Sequence, residues 1–176
     1  MSLRVSTVLI DISGFFLGRL LVLQLVREFC QEGNVVIDLG ASPFIMSCAL
    51  KCMDYRVIAI DYNPSEYLAL ASQCEVEMVK ADLEMDKLSL LDAYTDCVVL
   101  SEVLEHLDPY YISYTMSEIN RILKLGRILV LTTPNIASLF RRLRLLLGIQ
   151  PQFVTHVREY TIQEMEELLM KQLQST

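Results

Sequence analysis

The 176-residue chain is long enough for one domain with its own core, and 53% hydrophobic with 21% charged residues excludes a disordered chain. The formal net charge of -7 argues against a surface built wholly to bind nucleic-acid phosphate, although a local basic patch is compatible with it. The five cysteines lie in apolar segments without a CxxC pair, which predicts reduced, buried thiols and a cytoplasmic protein.

The first predicted element is the apolar run "FFLGRLLVLQLVREFC", residues 15–30. Arg19, Arg27 and Glu28 interrupt it before it reaches the roughly 18 apolar residues that a membrane span needs. No small-residue cleavage site follows it, as a signal peptide would require. The run therefore predicts an amphipathic helix packed on a core, and no transmembrane segment.

After this helix, short β-branched runs alternate with helical stretches. Pro64 and Pro109 each stand where a first helical turn tolerates a missing N–H. Strands that are apolar along their whole length and separated by helices indicate a parallel sheet covered on both faces, a doubly wound α/β fold. The predicted strands are residues 35–39, 56–61, 76–81, 97–101 and 127–133, and the predicted helices are 45–53, 64–74 and 109–123.

Polar residues follow four of these strands. Asp38, Asp61 and Asp82 stand at or next to the ends of the first three, and Ser101 with Glu102 ends the fourth. In a doubly wound sheet the ligand binds beyond the carboxyl ends of the strands, where the chain order reverses. The sequence therefore predicts a binding edge suited to hydroxyls, amines and a cationic ligand.

The same strand ends carry a family resemblance. "VVIDLGASPF", "VIAIDYNP", "KADLE", "CVVLSEVLEHLDP" and "EINRILKLGRILVLTTPN" resemble the successive blocks of the class I S-adenosylmethionine-dependent methyltransferases, especially the type 11 group. The resemblance covers residues 34–169. It implies a Rossmann-like fold and an enzyme that transfers a methyl group from S-adenosylmethionine to a nucleophile on a small molecule, leaving S-adenosylhomocysteine. A nucleic-acid acceptor is the less favoured alternative.

By this resemblance, the end of the first strand holds the methionine part of the cofactor. Asp38 would meet the ammonium, and the backbone of Gly40 and Ala41, with small Ser42 after it, would come close to the ligand. Asp61 would accept hydrogen bonds from both ribose hydroxyls.

The resemblance also assigns the adenine and sulfonium ends. Tyr62 would lie against the adenine face, Asp82 would accept from the adenine amino group, and the Leu83 N–H would donate to the ring. Ser101 and Glu102 would border the sulfonium and its methyl group.

The turn "DLGASPF" departs from the family pattern D-x-G-x-G-x-G, because Ser42 and Phe44 replace the second and third glycines. Phe44 puts a bulky ring where a glycine usually lets helix and strand pack closely. One alternative is therefore a non-catalytic methyltransferase-like subunit with a closed pocket. Another is an NAD-dependent oxidoreductase, which the single glycine of this turn disfavours.

The segment "SEVLEHL" allows two hypotheses. In the favoured one, His106 is a general base and, with Glu102, forms the catalytic pair without a metal. In the other, Glu102, Glu105, His106 and His156 bind a divalent cation, since "SEVLEHL", "TTPN" and "THVREYT" also resemble the metal-dependent RNA 3′-terminal 2′-O-methyltransferases. We expect no metal, because a flexible, proline-containing segment would have to fold back to deliver His156.

Two helices are predicted after the fifth strand. Residues 137–153 combine leucines at helical spacing with Arg141, Arg142 and Arg144, and the resemblance makes this segment a lid over the acceptor pocket. The arginines would be solvated or would contact an anionic substrate, an RNA backbone or a membrane. The last helix, residues 161–172, begins with a capping box formed by Thr161 and Glu164.

These elements predict a single domain over residues 1–176. An N-terminal helical segment (1–33) precedes the cofactor-binding core (34–135), and the lid and terminal helix follow (136–176). The sheet would lack the antiparallel strand pair that ends the family fold, either because the sequence is a truncated form or because the protein is a minimal one. Its fifth strand would be an open apolar edge, so we expect a helix, a partner protein or a second subunit to cover it.

Overall fold

The computed structural model describes residues 4–7, 15–150 and 155–174. The strands are β1 (Arg4–Thr7), β2 (Val35–Leu39), β3 (Arg56–Asp61), β4 (Glu77–Lys80), β5 (Thr95–Ser101) and β6 (Leu123–Thr132). The helices are α1 (Phe15–Phe29), α2 (Ile45–Lys51), α3 (Leu68–Gln73), α4 (Ile112–Ile122), α5 (Leu139–Leu146) and α6 (Ile162–Gln174).

The strands form one parallel sheet in the order β1-β6-β5-β2-β3-β4. From the central strand β2 the chain first moves outward through β3 and β4, and then returns to β5 on the other side of β2. The order therefore reverses between β2 and β5, and that point is where such folds bind ligands. The predicted doubly wound α/β fold is confirmed.

The edge of β6 is already covered within the chain, so the prediction of an open edge is wrong. β1 pairs in parallel with it, from Arg4 opposite Ile128 to Thr7 opposite Leu131. The sequence did not predict β1, because a four-residue strand with only two β-branched side chains carries little pattern. Its place also means that the segment before residue 34 is not wholly helical.

Element boundaries shift where the sequence carries competing signals. β6 begins at Leu123, which pairs with Thr95, although residues 123–126 read as a helix end followed by a glycine stop. The predicted helix at 64–74 divides into a 3₁₀ turn, Pro64–Tyr67, and the short α3. The capping box is confirmed, because the Thr161 N–H donates to Glu164 and the Glu164 N–H donates to Thr161 Oγ1.

The core has a layer on each face of the sheet. Ile37, Leu100 and Leu131 point into the layer that α4 and α6 cover, while their neighbours on the same strands point into the layer that α1 and α2 cover. Val22 and Val26 of α1 are fully buried there, as expected for an amphipathic helix that packs on the core. None of the helices in the described ranges is both long and apolar enough to span a bilayer.

The prediction of five reduced, buried thiols is wrong. Cys48, on α2, and Cys74, directly after α3, form a disulfide across 26 residues. Cys52 is an exposed thiol, and Cys30 and Cys97 are buried thiols. Sequence spacing could not show the pairing, because only the packing of α2 and α3 on the same face of the sheet brings the two residues together.

Candidate active site

A cavity of about 370 Å³ opens at the carboxyl ends of β2 and β5, at the point where the strand order reverses. Its walls come from the turns after these strands, from α1 and α2, and from the segment before α6. The residues that line it are Arg19, Asp38, Gly40, Ala41, Ser42, Pro43, Ile45, Met46, Ser101, Glu102, Glu105, His106, Thr155 and His156.

The turn after β2 requires its glycine. Gly40 has φ +67°, and a Cβ there would lie 2.4 Å from Cγ2 of Val103. The N–H groups of Gly40 and Ala41 both donate to the Ile60 carbonyl, at 2.8 and 3.2 Å. These amide hydrogen bonds therefore hold the turn against the end of β3.

Phe44 does not close the cavity. Its backbone has φ 65°, a left-handed conformation that glycine adopts without strain. Its side chain is fully buried in the layer beneath α1 and α2, and it is not among the cavity-lining residues. The ring has thus become part of the core, while the backbone keeps the path that a glycine would take.

Asp38 is a buried carboxyl group in the cavity wall. The Ser47 hydroxyl donates a hydrogen bond to its Oδ2. Burial raises the pKa of Asp38 to about 6, while the Ser47 hydrogen bond and the charge of Arg19 act in the opposite direction. The group is therefore ionised at neutral pH and close to its titration range, so a cation placed beside it would favour the charged form.

Arg19 is a cavity residue that sequence reasoning missed. It lies on α1, where burial lowers the pKa of its guanidinium and the charges of Asp38 and Glu102 partly oppose that shift. An arginine within an apolar run was visible in the sequence. Which strand ends it would face was not, because that depends on how α1 packs across the sheet.

The predicted ribose residue, Asp61, is tied to the same turn although it does not line the cavity. Its Oδ2 accepts from the Ser42 N–H and its Oδ1 from the Asn63 N–H, both at 2.9 Å. The carboxylate thus braces the turn after β2, and each oxygen has a second lone pair with which it can accept a hydroxyl.

The predicted adenine-side residues lie at the ends of β3 and β4, also outside the cavity wall. Tyr62 is 67% exposed, and the Lys80 ammonium stands 5.8 Å from its ring centre. Asp82 Oδ1 accepts from the Glu84 N–H, and Leu83 is buried. The structure therefore gathers Asp38, Gly40, Ala41, Ser42, Ser101 and Glu102 around the cavity and leaves Asp61, Tyr62, Asp82 and Leu83 beside it.

The two predicted sulfonium-side residues line the cavity at the end of β5. Ser101 Oγ and Thr132 Oγ1 form a hydrogen bond of 2.9 Å. Glu102 has φ 59°, which turns the chain sharply after the strand. Burial raises its pKa, and the charges of Arg141 and Arg19 partly oppose the shift.

Glu105 lies in the turn after β5 and lines the cavity, and only 1% of its surface is exposed. Its Oε2 accepts from the Thr133 hydroxyl at 3.0 Å, and its Oε1 has no hydrogen-bond partner in the described part of the chain. Burial, followed by the charge of Glu102, raises the pKa of Glu105 to about 8. The carboxyl is therefore mostly protonated at neutral pH.

His106 is held as a neutral proton acceptor. Its Nδ1 lies 3.1 Å from the Thr155 carbonyl, which can only accept, so Nδ1 carries the proton and Nε2 has the lone pair. Burial and the neighbouring His156 lower the pKa of His106. The ring centres of the two histidines are 4.8 Å apart.

His156 is held by a buried acid that the sequence analysis did not single out. Its Nδ1 lies 2.6 Å from Glu159 Oε1, and the other oxygen of Glu159 pairs with Arg141 on α5. Arg141 is therefore buried and not solvated, which corrects one of the expectations for this arginine. The pattern H-x-x-E was the one available signal, and Arg141 could not be matched to it from sequence.

The segment that carries His156 does fold back over the cavity, contrary to our reason for expecting no metal. Val157 and Arg158 N–H groups donate to the Glu105 carbonyl at 2.8 and 3.1 Å. One ligand atom each of Glu105, His106 and His156 lies within 4.8 Å of the others. Glu102, the fourth predicted ligand, is not part of this cluster.

Comparisons with known proteins agree with the fold. A family model described as "Methyltransferase domain", of type 11, matches residues 37–131, which is more than half of the chain. No curated protein matches the sequence.

Solved structures with this fold are distant in sequence. A SAM-dependent methyltransferase from Archaeoglobus fulgidus superposes with a TM-score of 0.68 at 23% identity, over 88% of this chain and 68% of that one. A SAM-dependent methyltransferase from Methanosarcina mazei superposes with a TM-score of 0.66 at 23% identity, over 84% of this chain and 82% of that one. A complex of the Haloferax volcanii Trm112 methyltransferase activator with a methyltransferase superposes with a TM-score of 0.62 at 21% sequence identity. The match covers 81% of this chain and 62% of that one.

The family match sets aside the oxidoreductase and the non-catalytic subunit as alternatives. The turn after β2 keeps its essential glycine and its buried acid, and the strand order places both at the ligand-binding point of the sheet. The chain belongs to the type 11 methyltransferase domain family, and it is an enzyme of the class I S-adenosylmethionine-dependent methyltransferases.

Proposed function

We propose that this enzyme methylates a nucleophile of a small molecule that must lose a proton as it reacts, such as a hydroxyl group, with His106 as the general base. The observation that carries the proposal is the hydrogen bond from His106 Nδ1 to the Thr155 carbonyl. This bond, together with the lowered pKa of His106, leaves a neutral ring whose Nε2 can take a proton at neutral pH.

The cavity residues fit the methionine end of S-adenosylmethionine. A buried carboxylate, Asp38, suits the ammonium group, and the Arg19 guanidinium in the same wall suits the carboxylate. Asp61 would hold the ribose, with Tyr62, Asp82 and Leu83 at the adenine and with Ser101 and Glu102 near the sulfonium. When bound, the cofactor supplies an electrophilic methyl group, and the protein's task is to align the acceptor with it.

Cofactor affinity should depend on pH through Asp38. Its pKa of about 6 describes the protein without ligand, and the ammonium binds best to the ionised form. The ionised fraction falls as the pH falls through 6, so the dissociation constant should rise about tenfold between pH 7.5 and pH 5. Calorimetry with S-adenosylhomocysteine across this range checks it, with Asp38→Asn as the control whose affinity should be weak and flat. A flat profile in the unmodified protein would contradict the role of Asp38.

Replacing Asp61 with alanine should weaken cofactor binding by about 1.5–3 kcal/mol, the scale of a charge-assisted hydrogen-bonding group. The variant also loses the acceptors of the Ser42 and Asn63 N–H groups. Asp61→Asn keeps one acceptor oxygen, so its cofactor affinity should lie between that of the unmodified protein and that of Asp61→Ala. Glu77→Ala, which removes an exposed acid on β4, serves as the control. An unchanged dissociation constant in folded Asp61→Ala protein would refute the assignment.

The acceptor class can be tested with methyl-labelled S-adenosylmethionine. The protein should label members of a panel of hydroxylated and amine-bearing small molecules, and a chelator should not change the yield. RNA with a free 3′ end, offered in parallel, should stay unlabelled. Label on RNA alone would overturn the proposal of a small-molecule acceptor.

A second candidate is a metal-dependent enzyme like the RNA 3′-terminal 2′-O-methyltransferases. The cluster of Glu105, His106 and His156 favours it, because both histidines have Nδ1 hydrogen-bonded and Glu105 has a buried oxygen without a partner in the described residues. Two imidazoles and a carboxylate suit a divalent ion such as Mn²⁺, which would hold and polarise the acceptor oxygen.

Direct titration separates the two candidates without any acceptor. The metal hypothesis expects Mn²⁺ to bind once per chain, and it expects Glu105→Gln and His156→Ala to abolish binding equally. Affinity should also rise with pH through about 8, as Glu105 loses its proton. The metal-free proposal expects no saturable binding in any of the three proteins.

A further inference from the structure

The helix α5 presents its apolar side chains to solvent. Leu139, Phe140, Leu143, Leu146 and Leu147 recur at the spacing of one helical face, and each is between 50% and 81% exposed. An amphipathic helix on a domain surface normally turns this face to the core. Here the relation is reversed, so the face is available to a partner.

A buried ion pair fixes this orientation. Arg141 lies on the opposite side of α5 and pairs with Glu159, and both side chains are almost fully buried. The Ser138 side chain caps the helix by accepting from the Arg141 N–H. Because rotating α5 inward would expose or break this pair, the leucines cannot turn toward the core without a large cost.

Positive charge flanks the apolar face on both sides. Successive residues of an α-helix are rotated by about 100°, which places Arg142 at one border of the face and Arg144 at the other. Arg142 is exposed and Arg144 is half-buried. Residues 137–158 contain four arginines, of which Arg141 and Arg158 pair with Glu159 and Glu164, so Arg142 and Arg144 supply the positive charge beside the face in a chain whose formal net charge is -7.

This arrangement distinguishes between the kinds of anionic partner. An RNA backbone would be met by outward arginines, yet Arg141 points into the protein and leucines occupy the centre of the outer face. An apolar face bordered by arginines is the pattern of a helix that lies in the headgroup region of a bilayer. The arginines would then contact lipid phosphates while the leucines enter the acyl boundary.

We propose that α5 is a membrane-docking helix that binds a lipid surface containing anionic headgroups. The same helix is linked through Arg141 and Glu159 to His156 in the cavity wall, so docking would occur close to the active site. The proposal does not depend on the proposed acceptor or on metal binding.

Vesicle flotation with the full chain tests it. We expect binding to phosphatidylcholine vesicles that contain phosphatidylglycerol, and binding about tenfold weaker to phosphatidylcholine alone. The triple variant Leu143→Gln, Leu146→Gln, Leu147→Gln should not float with either. Arg142→Gln with Arg144→Gln should bind anionic vesicles only as weakly as neutral ones.

Matched controls distinguish binding through this helix face from nonspecific binding through exposed leucines elsewhere. Leu91 and Leu125 are 75% and 69% exposed at other places on the surface, so Leu91→Gln with Leu125→Gln should float as the unmodified protein does. The proposal is overturned if the unmodified protein floats with neither vesicle, or if the control loses binding as the triple variant does. It is also overturned if the unmodified protein is a dimer by light scattering and the triple variant is a monomer, because a second copy would then be the partner.

Discussion

Replacing His106 with alanine is expected to lower turnover by about 10²–10⁴-fold, the usual contribution of a positioned general base. Its neutral ring has Nδ1 bound to the Thr155 carbonyl, so Nε2 is the proton acceptor that the variant loses. The affinity for S-adenosylmethionine should stay unchanged, because Asp38 and Arg19 would hold the methionine end. Steady-state kinetics with the acceptor from the labelling screen, together with calorimetry, measure the two effects separately.

His156→Ala is the informative companion to this variant. If His106 acts as a base, losing His156 raises the pKa of His106 by removing a neighbouring imidazole, and turnover should fall much less. The acidic limb of the pH–rate profile should then move to higher pH. Equal losses in both variants, with full inhibition by a chelator and recovery on adding Mn²⁺, would contradict the metal-free mechanism and support the cation site.

The largest effect on stability is expected from Glu159→Ala, which should lower the free energy of unfolding by about 3–5 kcal/mol. Glu159 is buried between Arg141 and His156, so the variant leaves the Arg141 guanidinium without its carboxylate in a site with little access to water. Arg158→Ala is the matched control. It breaks the exposed Arg158–Glu164 pair, which contributes only about 0–1 kcal/mol.

Urea unfolding followed by circular dichroism measures both variants. The double variant Arg141→Met, Glu159→Leu should recover much of the loss, because removing both charges leaves no ion buried alone. If Glu159→Ala and Arg158→Ala differ by less than about 1 kcal/mol, the Arg141–Glu159 pair does not anchor α5 in the way described.

The parts of the fold that sequence predicted are those whose signal is local. Val35–Leu39 and Arg56–Asp61 are rich in apolar, mostly β-branched residues and carry an acid at or next to the carboxyl end, so their strands and parallel pairing followed from the pattern. Asp38 and Ser101 followed from the rule that ligands bind at the carboxyl ends of such strands. The short β1 and the early start of β6 did not follow, because their residues are defined by pairing with distant strands.

The parts of the site that were missed depend on packing between distant segments. Arg19 reaches the cavity because α1 lies across the sheet, and Glu159 meets Arg141 only when α5 and the segment before α6 come together. Phe44 shows the converse. The sequence suggested that its ring would close the cofactor pocket, but the structure buries the ring beneath α1 and α2. A motif predicts which backbone path is needed, but it does not predict where an unusual side chain will go.

Calorimetric titration of the folded protein with S-adenosylhomocysteine at pH 7.5 measures whether the cavity after β2 and β5 holds the cofactor despite Ser42 and Phe44. We expect saturable binding of one molecule per chain, together with loss of the signal in Gly40→Val, whose side chain would collide with Val103. The absence of any saturable binding of S-adenosylhomocysteine by protein that circular dichroism shows to be folded would contradict this expectation.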